Sequence, residues 1–179
     1  MNWLENWPRP RRLHWLLLVS AAVFAADRLT KQWVVRHVRL GGAIPVVDRV
    51  FRISHWTNEG AAFSMFASSA SPHAVRWALV AFTLAVALGV LTALLRLGSR
   101  VTLTTLALAL ILGGALGNVH DRIAYGSVID FIEVHIFNYH WPDFNLADSS
   151  IVIGACLLFL DSLRSKGEGP GPLAGDGER

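Results

Sequence analysis

The sequence has 179 residues, of which 53% are hydrophobic and only 16% charged, and its mean hydropathy is +0.44. This balance is too apolar for an ordinary soluble domain of the same length and predicts an integral membrane protein. The formal net charge is +3, but the basic residues lie at the ends of apolar runs, which predicts contacts with lipid headgroups and no nucleic-acid partner. The single cysteine, Cys156, excludes an intramolecular disulfide and a cysteine-based metal cluster.

Four apolar segments predict an all-α membrane protein with transmembrane helices at about residues 13–35, 75–95, 101–121 and 146–163. Each approaches the roughly 20 residues that cross the hydrocarbon core. The first segment is also compatible with a cleavable signal peptide, because arginines precede a short apolar core that ends in small residues. Asp27 and Lys31, an i,i+4 pair on a continuing helix, favour its retention.

Two stretches lie between the predicted helices, on one side of the membrane. Residues 40–72 alternate apolar and polar residues around Gly41, Gly42 and Pro45, which predicts short strands in a small sheet. Residues 124–145 are rich in histidine and aromatic residues and predict an interfacial loop or helix. Residues 1–166 are expected to form a single domain, and the Gly/Pro-rich residues 167–179 a disordered tail.

Charge asymmetry predicts the orientation. The basic N-terminus, the link from Arg96 to Arg100 and the C-terminal tail share one side if all four helices cross the membrane. The positive-inside tendency makes that side the cytoplasm. Most of the acidic residues then fall on the other side or at its membrane edge.

Asp148, in the stretch Phe144 to Leu160, begins the last apolar segment. Burying an ionisable group in a membrane costs about 2.5–3.5 kcal/mol, so such a carboxylate predicts a functional site. The spacing also fits helix capping, with Asn145 at the N-cap and Asp148 at the third helical position. Both interpretations stay open on spacing alone.

Asp130 lies in a similar setting, between the apolar neighbours Ile129 and Phe131. It is either a hydrated interfacial residue or the partner of Asp148. Two carboxyls in a poorly hydrated site cannot both ionise easily, so one keeps its proton. Such a pair can activate water and protonate a leaving amide nitrogen.

The third helix ends in further polar residues. Asn118, Asp121 and Arg122 follow i, i+3, i+4 spacing and share one face, which is either a solvated helix end or part of a site. Gly113 and Gly117 have the GxxxG spacing typical of close helix packing. Before the second helix, the small residues from Thr57 to Ser64 predict a turn in which Asn58 and Gly60 can bind an extended chain.

The sequence resembles the signal peptidase II family of bacterial membrane aspartyl peptidases. The resemblance rests on five stretches in the family's order: DRLTK (27–31), NEGAAFS (58–64), GGALGNVHDRI (113–123), VIDFI (128–132) and FNLADSSI (144–151). It departs from the family at His120, where an apolar residue is common, and at Asp143, an added acid.

The resemblance implies four membrane helices with both termini cytoplasmic, a small extracytoplasmic sheet that forms a cradle, and a short periplasmic helix or loop. It implies a monomer in the bacterial inner membrane, with lipids as neighbours, that cuts diacylglyceryl-modified prolipoproteins before the modified cysteine. The catalytic pair falls on Asp130 and Asp148, with no metal or other cofactor. The implied supporting residues are Asp27, Lys31, Asn58, Gly60, Asn118, Asp121, Arg122 and Asn145.

Two other classes are weighed against this one. A proton-coupled transporter or channel also contains buried acids and GxxxG packing, but its polar residues would spread through the depth of the bilayer. A serine-type intramembrane protease is less well supported, because Ser64 and Ser149 have no histidine at an evident partnering position.

Overall fold

The computed structural model describes residues 12–60 and 72–167. In this part of the chain, the elements in order are α1 (Leu13–His37), β1 (Ala43–Val47), β2 (Phe51–Asn58), α2 (Pro72–Leu97), α3 (Leu103–Tyr125), β3 (Val128–Ile136), β4 (Tyr139–Phe144) and α4 (Leu146–Gly167). All four helices are long and apolar enough to span a membrane. The predicted fold class, four such helices with a small antiparallel sheet, is confirmed. Ser64, the arginines before Arg12 and residues 168–179 of the predicted tail lie outside the described residues.

The third helix is the centre of the bundle. About 61% of its span is buried, against 22% or less for each of the others. A Cβ at Gly113 would lie 2.6 Å from the Ser20 carbonyl oxygen of α1, and one at Gly114 would lie 2.4 Å from the Ala147 carbonyl oxygen of α4. Gly113 and Gly114 thus let α1 and α4 approach the α3 backbone, and Gly117, the second glycine of the GxxxG spacing, also faces Asp27 of α1 and Ala147 of α4.

Apolar side chains on the outer helix surfaces are exposed. Phe82, Leu88 and Phe159 are between 64% and 69% exposed, as expected for helices that contact lipid tails. Inside the bundle, Leu16 and Leu94 are fully buried with the small residues of α3. Apolar side chains both inside the bundle and on its outer surface are typical of a protein that is surrounded by lipid.

The four strands form one antiparallel sheet in the order β1-β2-β3-β4. The prediction of a loop or helix for residues 124–145 is wrong, because these residues supply β3 and β4. Histidine and aromatic residues are common at membrane interfaces, but aromatic and β-branched residues also favour strands. Residues 128–136 form a strand and not a loop or helix because they pair with β2, which places Trp56 opposite Asp130.

The sheet is attached to the ends of the helices. Val34 and Val38 from the end of α1 are buried against Phe131 of β3. Helix α3 is capped at its C-terminus by Gly126, whose φ of 87° lies in the left-handed region, and β3 begins two residues later. This short, sharp connection places the start of β3 beside the last turns of α3.

Candidate active site

Asp130 and Asp148 are brought together where β3 meets the start of α4. Asp130 is only 3% exposed, whereas Asp148 is half-buried. The Asn145 side chain donates from Nδ2 to Asp130 Oδ1 at 2.7 Å, and its backbone N–H donates to Asp148 Oδ2 at 3.2 Å. One asparagine therefore binds both carboxyls.

The start of α4 is a reciprocal capping box. Asn145 Oδ1 accepts the Asp148 N–H at 2.9 Å, and Asp148 Oδ2 accepts the Asn145 N–H. The other carboxyl oxygen of Asp148, Oδ1, accepts from Asn118 Nδ2 at 2.7 Å. Capping and site formation are therefore compatible, because the bond from the Asn145 N–H to Oδ2 both caps the helix and holds Asp148 beside Asp130, while Oδ1 is left for Asn118.

The surroundings of Asp130 favour its protonated form. Burial is the main cause that raises the pKa of Asp130 to about 6. A hydrogen bond from Asn58 Nδ2 to Asp130 Oδ2, 3.0 Å long, opposes the increase. The charge of the Asp148 carboxyl adds to it. Asp130 therefore holds a proton at a pH at which an exposed aspartate has lost it.

A fully buried ion network lies beside the pair. Lys31 Nζ lies 2.8 Å from Asp27 Oδ2 and 2.7 Å from Asp121 Oδ2, and all three side chains are completely buried. Lys31 Nζ also donates to Asn118 Oδ1 at 3.4 Å. Asn118, in turn, donates to Asp148, so the network connects to the carboxyl pair through one amide.

The same two acids hold the backbone next to each member of the pair. Asp27 Oδ1 accepts the Ala147 N–H at 3.1 Å, one residue before Asp148. Asp121 Oδ2 accepts the Ile129 N–H at 3.3 Å, one residue before Asp130. The ion network therefore fixes the backbone that carries both carboxyls, and this support could not be seen in the residue spacing.

Arg28 is a buried charge beside the carboxyl pair that the sequence patterns did not indicate. It is 8% exposed and forms an ion pair with Asp121, while Nη2 donates to the Tyr125 hydroxyl at 3.3 Å. In the sequence it is one of many arginines near a predicted interface. Its position next to Asp27 on α1 was the available signal, since neighbouring helical residues at a packed interface can reach the same partner helix.

All the predicted site residues belong to one connected network. Arg122 joins it through Nη1, which donates to the Asn118 carbonyl oxygen at 3.4 Å. Its buried Nε has no hydrogen-bond partner among the described residues. Gly60 joins through its N–H, which donates to Asn58 Oδ1 at 2.8 Å. That bond orients the Asn58 amide, which donates to Asp130.

Gly60 gives the first testable prediction. Its φ is 89°, a value that side-chain-bearing residues rarely adopt, and a Cβ there would lie 2.4 Å from Leu79 Cδ1. Gly60→Ala is expected to lower the free energy of unfolding by about 1–2 kcal/mol because of the backbone strain. Thermal unfolding in detergent measures the loss. The double variant Gly60→Ala/Leu79→Ala restores space but not φ, so full recovery of stability in it would contradict this cause.

The fold and the site together define a class of protein. Four membrane-spanning helices and the inner strand β3 of a small sheet bring together two carboxyls, of which Asp130 has a raised pKa. A pair of this kind can accept a proton from water with one carboxyl and donate a proton with the other. These are the features of a membrane-embedded aspartic hydrolase.

Comparison with known proteins gives the family. Residues 19–164 match the family model of signal peptidase (SPase) II. The chain belongs to this family; it is an aspartic peptidase that removes the signal peptide from prolipoproteins. The alternative of a proton-coupled transporter or channel is therefore wrong.

Individual relatives and solved structures agree with this result. The chain is 47% identical over 146 residues to the lipoprotein signal peptidase of Paraburkholderia phytofirmans, covering 82% of this chain and 83% of that protein. It is 40% identical over 151 residues to that of Bacillus subtilis, covering 84% and 94%. A bacterial membrane enzyme solved by the in meso method at 1.9 Å resolution has a TM-score of 0.74 and 28% identity, covering 83% and 92%. The chain is a multi-pass bacterial membrane protein.

Proposed function

We propose that Asp130 and Asp148 are the catalytic pair, and that they hydrolyse the peptide bond immediately before a diacylglyceryl-modified cysteine. The observation that carries this proposal is the binding of both carboxyls by Asn145. Asn58 and Asn118 each donate to one member of the pair. Every carboxyl oxygen thus accepts a hydrogen bond within the described residues, which fixes the geometry before substrate binds.

The proposed mechanism divides one acid and one base between the carboxyls. Asp148, in its ionised form, accepts a proton from a water molecule as the water oxygen attacks the scissile carbonyl carbon. Asp130 donates its proton to the leaving amide nitrogen as the C–N bond breaks. No covalent intermediate is formed. Ser149 is not the nucleophile, because its hydroxyl donates to the Asn145 carbonyl oxygen at 2.9 Å.

The proton assignment predicts how activity depends on pH. Asp130 must be protonated in the free enzyme, and burial raises its pKa to about 6. Above that pH the protonated fraction falls, so kcat/KM is expected to decrease about tenfold for each further pH unit. A kcat/KM that stays constant or rises between pH 6 and pH 8 would contradict the assignment.

Other members of the network are proposed to act by positioning or by binding substrate. Asp27 and Asp121 hold the backbone that carries the pair, and Lys31 compensates the charge of both acids. The Arg122 guanidinium lies near the Asn118 carbonyl oxygen, and its Nε has no hydrogen-bond partner in the described part of the chain. Arg122 is proposed to bind a carbonyl oxygen of the extended substrate. Gly60 acts through Asn58.

The proposed orientation places both termini in the cytoplasm and the site toward the periplasm of a bacterial inner membrane. The Arg12 N–H donates to the Gly98 carbonyl oxygen at 3.2 Å, so α1 begins beside the link between α2 and α3. This end of the bundle carries several arginines, which supports a cytoplasmic position. The protein is proposed to act as a monomer among membrane lipids.

Cysteine labelling in intact cells tests the orientation. Asp48→Cys, in the β1–β2 turn, and Ser99→Cys, in the link between α2 and α3, are each made in a Cys156→Ala background. A membrane-impermeant thiol reagent is expected to label position 48 and to leave position 99 unlabelled until the cells are opened. The reverse pattern would overturn the orientation.

The substrate proposal is tested with purified protein and a prolipoprotein prepared with and without the diacylglyceryl group. Cleavage only of the modified form, immediately before its cysteine, is the expected result. The diacylglyceryl group and the peptide would then be bound together, with the acyl chains against lipid-facing helices and the peptide along the sheet. Equal cleavage of the two forms would show that the enzyme does not recognise the diacylglyceryl group.

A further inference from the structure

A cluster of ligand-type side chains lies on the sheet beyond the carboxyl pair. Glu133 and His135 are two residues apart on β3, so they lie on the same face of the strand. His135 pairs directly with His140 across the β3–β4 hairpin. The two imidazole rings stack with their centroids 4.8 Å apart. The strand register therefore brings one carboxylate and two imidazoles together.

The donor atoms of these residues are close enough to bind one ion. Glu133 Oε1 lies 2.7 Å from His135 Nε2 and 3.9 Å from His140 Nε2. All three ligand atoms lie within 4.8 Å of one another. Metal–donor bonds of about 2.0–2.2 Å in tetrahedral geometry separate two donors by roughly 3.3 Å. The two observed distances from Glu133 Oε1 lie on both sides of this value, so small movements of the side chains would give all three ligand atoms bonding distances to one ion.

We propose that Glu133, His135 and His140 bind one divalent transition-metal ion of the zinc class. Two imidazoles and a carboxylate are ligands typical of that class. Asp143 is the nearest candidate for a fourth ligand, because Oδ1 lies 3.0 Å from His140 Nε2. Its other oxygen accepts from Ser54 Oγ at 2.7 Å, which holds the carboxyl in place.

Access and burial both suit an ion at this position. Glu133 is only 6% exposed, so a bound cation would stabilise a carboxylate that water reaches poorly. A cavity of about 340 Å³, lined in part by Glu133, His140 and Asp143, gives the ion a path from solvent. The ion would cross-link β3 to β4 and so stiffen the strand that carries Asp130.

Arg52 is the competing cation. Its Nη1 lies 3.1 Å from Glu133 Oε1, and its side chain is 42% exposed. The guanidinium can therefore move into solvent when a metal ion takes its place. Two kinds of variant are therefore expected to change the affinity for metal in opposite directions. Removal of a histidine weakens metal binding, whereas Arg52→Gln strengthens it.

The test uses full-length protein in detergent, with any histidine tag removed and with bound metal stripped by a chelator. Titration calorimetry with zinc chloride is expected to give close to one ion per chain, and zinc is expected to raise Tm. Cobalt(II) provides a second readout through its visible absorption in a tetrahedral site. None of these readouts depends on peptidase activity.

The variants make the site assignment specific. His135→Ala and His140→Ala are each expected to weaken zinc binding by at least about tenfold, and Arg52→Gln to tighten it. His37→Ala removes an exposed histidine of α1 and is expected to bind zinc as the native chain does. If His140→Ala is unstable, His140→Gln replaces it. No zinc binding by the native chain, or unchanged binding after loss of both cluster histidines, would overturn the proposal.

Discussion

Asp130→Asn and Asp148→Asn are each expected to lower kcat by about 10³-fold, within the range that general acid–base groups contribute. Asparagine keeps the size of the side chain but can neither accept the proton of water nor donate one to the leaving nitrogen. Because the two carboxyls act as a unit, the double variant is expected to be little worse than either single variant. Cleavage of a diacylglyceryl-modified prolipoprotein, followed in single-turnover conditions, measures each rate.

A matched control separates this effect from a general loss of charge. Asp48 lies in the β1–β2 turn with its side chain 93% exposed, so Asp48→Asn is expected to keep native activity. Thermal unfolding of each variant in detergent shows whether the fold persists. An Asp130→Asn or Asp148→Asn protein with near-native kcat would exclude the proposed pair.

The start of α4 could be predicted from sequence because the residues that cap the helix are three positions apart in the chain. Asn145 and Asp148 have capping-box spacing, and both hydrogen bonds of the box are present. The four apolar runs likewise predict the helices, since each run is close to the thickness of a bilayer. Glycine spacing on α3 correctly indicated close helix packing.

Features that depend on tertiary contacts could not be predicted in this way. Residues 128–144 form strands only because β2 supplies an edge with which β3 pairs. Arg28 becomes part of the site only because α1 packs against α3, where Asp121 lies. The bonds from Ala147 and Ile129 to the buried acids join residues far apart in sequence. No local pattern of residues contains these pairings.

The second large effect is expected at Lys31. Lys31→Met keeps a long, flexible side chain but leaves the carboxyls of Asp27 and Asp121 without their shared cation. Removing one partner from a buried ion pair costs about 3–5 kcal/mol, because the remaining charge stays unsolvated. The free energy of unfolding is expected to fall by that amount, measured by denaturant or thermal unfolding in detergent. Arg36→Met removes an exposed cation from the same helix and is expected to change stability by less than about 0.5 kcal/mol.

A second substitution identifies the cause of the loss. In Lys31→Met/Asp27→Asn the side chain at position 27 is neutral, and Asp121 keeps its ion pair with Arg28. The double variant is therefore expected to be more stable than the sum of the two single changes predicts. Lys31 also reaches the pair indirectly, because Asp27 and Asp121 bind the N–H groups that precede Asp148 and Asp130. Any folded Lys31→Met protein is therefore expected to show a lower kcat with little change in KM. Strict additivity in the double variant would show that Lys31 does not act by compensating Asp27.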